Sequence, residues 1–259
     1  MNTAEWLLVG ALFSLGPNLA MAEEVIRLTN GEWQPYHSEH LKYFGVGSRI
    51  VSEAFALAGI RVEYSFYPWA RAKELAKVGK LDGCVSWAMV PLFKNDFVFS
   101  DTIYEGSIHF FYLKNNLPKF DWATLDDLRK YRIGVIDSFV YSPEFQQAKL
   151  EGKLNIESVP NELQNFRKML ANRIDLYPGN LDVGLDALNR ELSPEDTAKF
   201  TYHPKPLRTT TYHLLLSKKL KNHEVILDRF NQGLAMLRKS GKYDEYLAES
   251  RTGAYLQKP

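Results

Sequence analysis

The feature that most constrains this chain is an alternation of β-rich and helical segments that runs, breaks at a short polar stretch and starts again. Val25 to Leu28 is a β-rich run, followed by a polar, aromatic loop from Thr29 to His40. A helix is predicted near Ser48 to Ala58, where Ile50, Ala54 and Ala58 share a face and Gly59 supplies the stop. Val62 to Phe66 reads as strand, Pro68 opens a helix through Val78 that ends at Gly79, and Cys84 to Trp87 reads as the next strand. Parallel strands need a crossover rather than a tight turn, so this β-α-β-α-β order implies a mostly parallel sheet with helices on its faces.

After strands near Phe97 to Phe99 and Ile108 to Leu113, the polar, proline-containing segment Lys114 to Lys119 reads as a crossing linker. The pattern then restarts. Leu125 to Lys130 is helical, Arg132 to Ile136 strand, Pro143 to Leu150 helical, Asn155 to Val159 strand, Asn161 to Ala171 helical and Ile174 to Tyr177 strand. His203-Pro204-Lys205-Pro206 is a second stiff connector. Beyond it come a strand from Tyr212 to Ser217 and a long helix capped by Asn222, with Ile226, Phe230, Leu234 and Leu237 in register. The expected fold class is therefore α/β with two lobes, each a mostly parallel sheet flanked by helices. Residues 23–113 and 209–259 form lobe 1 and residues 114–208 form lobe 2, with a ligand cleft where strand ends and helix N-termini of both lobes converge.

Residues 1–22 stand apart. Trp6 to Ala22 carries no charge, its first ten residues are an apolar run, and Gly16-Pro17 ends it. A bilayer span needs about 20 apolar residues, so this is a signal-peptide core rather than an anchor. Ala20-Met21-Ala22 places cleavage before Glu23, although the leading segment carries Glu5 and no Lys or Arg. The expected product is periplasmic, with no further apolar run for membrane insertion. Thirty-two Lys and Arg against thirty-one Asp and Glu leave a net charge of +1 without a basic block, which argues against nucleic acid as a partner. The single cysteine, Cys84, excludes an intramolecular disulfide framework or a CxxC site.

Four blocks in order then become informative. They are Gly31-Glu32-Trp33-Gln34-Pro35-Tyr36; Tyr67-Pro68-Trp69-Ala70-Arg71-Ala72 ahead of Gly79-Lys80-Leu81-Asp82-Gly83; Phe99-Ser100-Asp101; and Arg173-Ile174-Asp175. Together they resemble the bacterial extracellular solute-binding proteins of the polar-amino-acid type, family 3, with the type II periplasmic binding fold. The resemblance implies a monomer without cofactor that closes on a small-molecule ligand and docks on an ABC-type membrane permease.

By the same resemblance Trp33 and Trp69 are the aromatics that sandwich the ligand, with Tyr36 beside them. Both tryptophans lie in loops next to proline, where packing alone does not demand large rings. Arg71, two residues past Trp69, is a candidate for a ligand carboxylate or else a solvated helix-face arginine, as Lys73 and Lys77 are expected to be. Ser86 and Trp87 end a strand at which the family offers backbone and hydroxyl groups. The family's carboxylate-clamping arginine is absent, and Lys94 or Phe93 takes its place. In lobe 2 only Ser138 and Tyr141 stand ready to donate where hydroxyl side chains are usual, and Asn180 occupies the position of an ammonium-binding aspartate. A neutral amide does not offset a buried ammonium's lost hydration, so the cleft reads as more aromatic and less ionic than one built for a standard amino acid.

His37, Glu39 and His40 do not make a metal set, because no third ligand has usable spacing. No nucleophile-elbow, P-loop or HExxH motif is present. The leading expectation is a non-enzymatic binding protein for a small polar solute. The alternatives are a soluble ligand-presenting partner of a membrane receptor and, less favoured, a dehydratase-like enzyme using Glu105 or Asp101 as acid.

Overall fold

A computed structural model describes residues 24–137, 139 and 141–256; the expected signal segment and Ser138 lie outside the described residues. Strand β1 (Glu24–Asn30) pairs in parallel with β2 (Ile60–Phe66) and β3 (Gly83–Ala88), joined through helices α1 (Val46–Leu57) and α2 (Trp69–Lys77). This is the first half of the alternation as the sequence predicts it. Gly59 and Gly79, at φ 73° and 77°, take the left-handed conformation that lets the chain leave each helix.

The crossing between lobes differs from expectation. Phe97–Leu113 is one 17-residue strand, β4, which at about 3.3 Å per residue spans on the order of 55 Å. Its first part pairs antiparallel with β9 (Arg208–Ser217), and its far end pairs with β7 (Tyr177–Asn180) and β8 (Phe200–Tyr202) of the other lobe. The crossing is therefore made by β4 and β9 side by side. Lys114–Lys119 lies beyond it, in a turn whose Lys114 N–H donates to Lys199 O at 3.0 Å. Register shifts around Thr102 bend the pair, and Ser100 fastens the bend: its Oγ accepts from Leu214 N at 2.9 Å, and its carbonyl from His213 Nδ1 at 2.8 Å.

Lobe 2 adds β5 (Arg132–Ile136) paired in parallel with β6 (Asn155–Val159), flanked by α3 (Pro143–Leu150) and α4 (Glu162–Leu170). Helix α5 (Leu181–Glu191) follows β7 directly, and α6 (Pro194–Thr197) leads into β8. Helices α7 (His223–Lys239) and α8 (Lys242–Arg251) return to lobe 1, where Phe230, Leu234 and Leu237 are buried as their spacing predicts and Phe230 packs on Phe55 at 4.8 Å between ring centroids. Asn222 does sit at the α7 N-cap, but in a left-handed conformation whose side chain makes no capping bond. Among the described residues no helix is long and apolar enough to cross a membrane.

Two of the blocks that carried the resemblance are staples of the sheet. Asp82, just before β3, accepts from Arg27 N at 2.8 Å and from its guanidinium at 3.2 Å. Asp175, just before β7, accepts from Arg132 N at 2.8 Å and its Nη2 at 2.7 Å. Each lobe thus locks its first strand to a later one through the same Arg–Asp fork.

Candidate functional site

Between the lobes, beside the crossing strands, lies a cavity of about 240 Å³. Gly106 and Ile108 of β4 and Arg208, Thr210 and Tyr212 of β9 form its back. Lobe 1 contributes Trp33 from the loop after β1. Lobe 2 contributes Ile136 at the end of β5 and Phe139 beyond it, Glu162 in the first turn of α4, Tyr177 to Asn180 of β7, and Val183 of α5. These lobe 2 groups come from strand ends and helix starts, where an α/β sheet leaves a crevice. Gly106 leaves room for the lining side chains: a Cβ there would stand 2.9 Å from both Asn180 Nδ2 and Tyr212 Cε2 and force them to shift.

Trp33, half-buried, packs edge-on to Tyr212 at 5.0 Å and tilted on Tyr36 at 4.7 Å. Burial pushes the phenols of Tyr177 and Tyr212 above their ordinary range, so both remain neutral hydroxyls at physiological pH. Asn180 is the N-cap of α5, its Oδ1 accepting from Val183 N at 3.2 Å. Arg208 is oriented by donating from Nη1 to Tyr141 O at 3.0 Å. Among the described residues, the lining therefore offers aromatic rings, one carboxylate, one guanidinium and a side-chain amide.

Of the residues expected from the sequence, Trp33 and Asn180 line this cavity; Ser138 lies outside the described residues, and Tyr36, Trp69, Arg71, Ser86, Trp87, Lys94 and Tyr141 are not part of the lining. Tyr36 is wholly buried beneath Trp33, stacked on Tyr104 at 4.4 Å, and its hydroxyl donates to Asp182 at 2.7 Å, which makes it part of the core. Tyr141 backs the wall: its hydroxyl accepts from Ile136 N at 2.8 Å and its carbonyl holds Arg208. Ser86, at φ 66°, accepts from Tyr104 OH at 2.6 Å and also meets His37 Nε2. His37 itself is buried, with Nδ1 2.9 Å from Ser48 Oγ, and burial pulls its pKa down to about 3, so it stays neutral.

Trp69 lies over Gly31, where a Cβ would come within 2.5 Å of its ring, and meets Trp87 edge-on at 5.7 Å; Trp87 in turn meets Phe93 at 5.7 Å. Lys73, expected to be merely solvated, places its ammonium 4.0 Å from the Phe93 ring centroid. These rings form an aromatic row on lobe 1. Arg71 is exposed, 5.6 Å from the Tyr67 ring centroid, as a helix-face arginine. Lys94 is exposed as well, its carbonyl accepting from Lys218 Nζ at 2.7 Å, whereas Phe93 turns inward to Trp87. Glu162 and Arg208 were missed from the sequence. Glu162 had a signal, since it follows the Asn161 cap at the end of a parallel strand.

No family model matches the sequence, and no curated protein matches it. Solved structures do. The second substrate-binding domain of a putative amino acid ABC transporter from Streptococcus pneumoniae matches with TM-score 0.69 and 16% identity, over 90% of this chain and 100% of the other. Substrate-binding domain 2 of Lactococcus lactis GlnP, in an open conformation, gives 0.71 at 15% identity, over 92% and 98%. The fold is that of the type II periplasmic binding proteins. A histidine kinase sensor domain with similarity to periplasmic binding proteins also matches, with TM-score 0.58 and 17% identity over 88% of this chain and 96% of the other.

Proposed function

We propose that the protein captures a small polar solute in the cavity between its lobes and delivers it to an ABC-type membrane permease, working in the periplasm after loss of residues 1–22. One observation carries this reading. The two lobes together build a cavity, and its lining mixes opposite charges with aromatic rings, the combination that orients a small polar molecule while desolvating it. Of the solved domains of the same fold, that from S. pneumoniae belongs to a putative amino acid ABC transporter, and that from L. lactis is a substrate-binding domain of GlnP. Because, among the described residues, β4 and β9 carry the chain along the cavity's back, rotation about them near Gly106 and Thr210 closes the lobes on the ligand. The test is a thermal-shift screen over amino acids, small peptides, sugars and amines, since any ligand that binds only the folded state raises the melting temperature. Small-angle scattering with the hit at saturation then gives a smaller radius of gyration; the absence of any hit refutes the reading.

A second reading, a ligand-presenting partner of a membrane receptor, is favoured by the likeness to the histidine kinase sensor domain. It uses the same cavity. Co-purification of the liganded protein with a permease complex supports uptake, and co-purification with a receptor ectodomain supports signalling.

A further inference from the structure

Asn180 stands where the family resemblance places an ammonium-binding aspartate, and the geometry presents a donor there. Only an oxygen accepts a hydrogen bond from Val183 N, so Asn180 Oδ1 faces the start of α5. The donor Nδ2 is turned the other way, toward Gly106, where it stands 2.9 Å from the site of a missing Cβ on the cavity wall. A donor amide repels an ammonium and favours an acceptor. Arg208, on the same cavity and held by the Tyr141 carbonyl, adds a positive charge. Among the described residues lining the cavity, the carboxylate is Glu162, at the first turn of α4 and near the Tyr177 phenol.

We infer that the cavity takes a zwitterion in a defined orientation: its anionic group at Asn180 Nδ2 and Arg208, its cationic group at Glu162. Glu162 and Asn180 are thereby the residues that set specificity. Trp33 and Tyr177 line the same cavity, and aromatic rings attract positive charge. This rests on the reading of the cavity as the ligand site, and the test separates the two.

The probes are the standard L-amino acids, γ-aminobutyrate and glycine betaine, followed by calorimetry on the best binder and on its analogue lacking the cationic group. In the native protein, removal of the cationic group weakens binding tenfold or more. In Glu162→Gln the same change costs less than threefold, because the carboxylate that read the charge is gone; a merely structural role for Glu162 lowers both affinities equally and overturns the assignment. Asn180→Asp keeps a good helix cap while replacing the donor by a carboxylate. It weakens the zwitterion at least tenfold, whereas tighter binding shows that the ammonium sits there and the orientation is wrong. If a sugar or polyamine binds and no zwitterion does, the capture function stands and this inference falls. If nothing binds, both fall.

Discussion

Asp182 joins the two lobes. Its Oδ2 accepts from Tyr36 OH of lobe 1 at 2.7 Å and its Oδ1 from Arg251 Nε of α8 at 2.6 Å, and its side chain is 8% exposed. Replacing it by Ala leaves the Tyr36 hydroxyl, itself fully buried, without an acceptor. An orphaned buried donor costs about 1–3 kcal/mol. Arg251 is 45% exposed and returns to water, so its share is about 0–1 kcal/mol. The expected loss is roughly 2–3 kcal/mol, which in a protein of this size lowers the melting temperature by about 5–10 °C. Calorimetric unfolding of Tyr36→Phe, Asp182→Ala and the double variant measures the pair directly, with an expected coupling of about 1 kcal/mol or more. A coupling under about 0.3 kcal/mol would refute the tie, as would an Asp182→Ala melting point within about 2 °C of native.

Further outcomes follow from the same structure. His37, neutral in the fold because burial lowers its pKa to about 3, contributes no penalty above its unfolded value near 6.5; as pH falls from 6.5 toward 3 the unfolded chain takes up the proton first, and stability drops by about 1.4 kcal/mol per pH unit. His37→Gln should remove that part of the acid sensitivity in pH-resolved melts, and an unchanged profile contradicts the assignment. Asp175→Asn should cost about 1–3 kcal/mol by weakening the Arg132 fork. The bond from Arg132 holds the Asp175 carboxyl below its usual range, so this contribution is present above the unfolded pKa and fades as acid protonates the folded group, an effect visible in melts of native and variant at low pH. Gly106→Val forces a side chain against Asn180 and Tyr212, and calorimetry should show at least a tenfold loss of affinity for any cavity ligand with the fold retained by circular dichroism. Mass spectrometry of protein from the native host should find Glu23 as the first residue, and an intact Met1 contradicts export.

Much of lobe 1 was legible because its periodicities are local: α1, α2, β1, β2 and β3 each end on a glycine, proline or polar loop in the sequence. The long β4 was not. Ser100-Asp101 and Gly106 interrupt its β-rich pattern, and only pairing with β9 and β7 carries the strand through them. Strand β7 was placed too early for the same reason, since Tyr177-Pro178-Gly179-Asn180 reads as a turn and becomes a strand against β4. The site shows the same division. Trp33 stood out as a large ring in a polar loop. Arg208 acquires its place only when β9 crosses beside Gly106, a contact far apart in sequence. Tyr36 misled because its partner, Asp182, comes from the other lobe.

The central claim is that a ligand sits in the cavity beside Trp33. Titration calorimetry of the strongest thermal-shift hit, on native protein and on Trp33→Ala, tests it most directly. Loss of a buried aromatic anchor costs on the order of 2 kcal/mol, so the variant should bind about thirtyfold more weakly. An affinity within about threefold of native, roughly 0.65 kcal/mol, would place the ligand elsewhere and contradict the account.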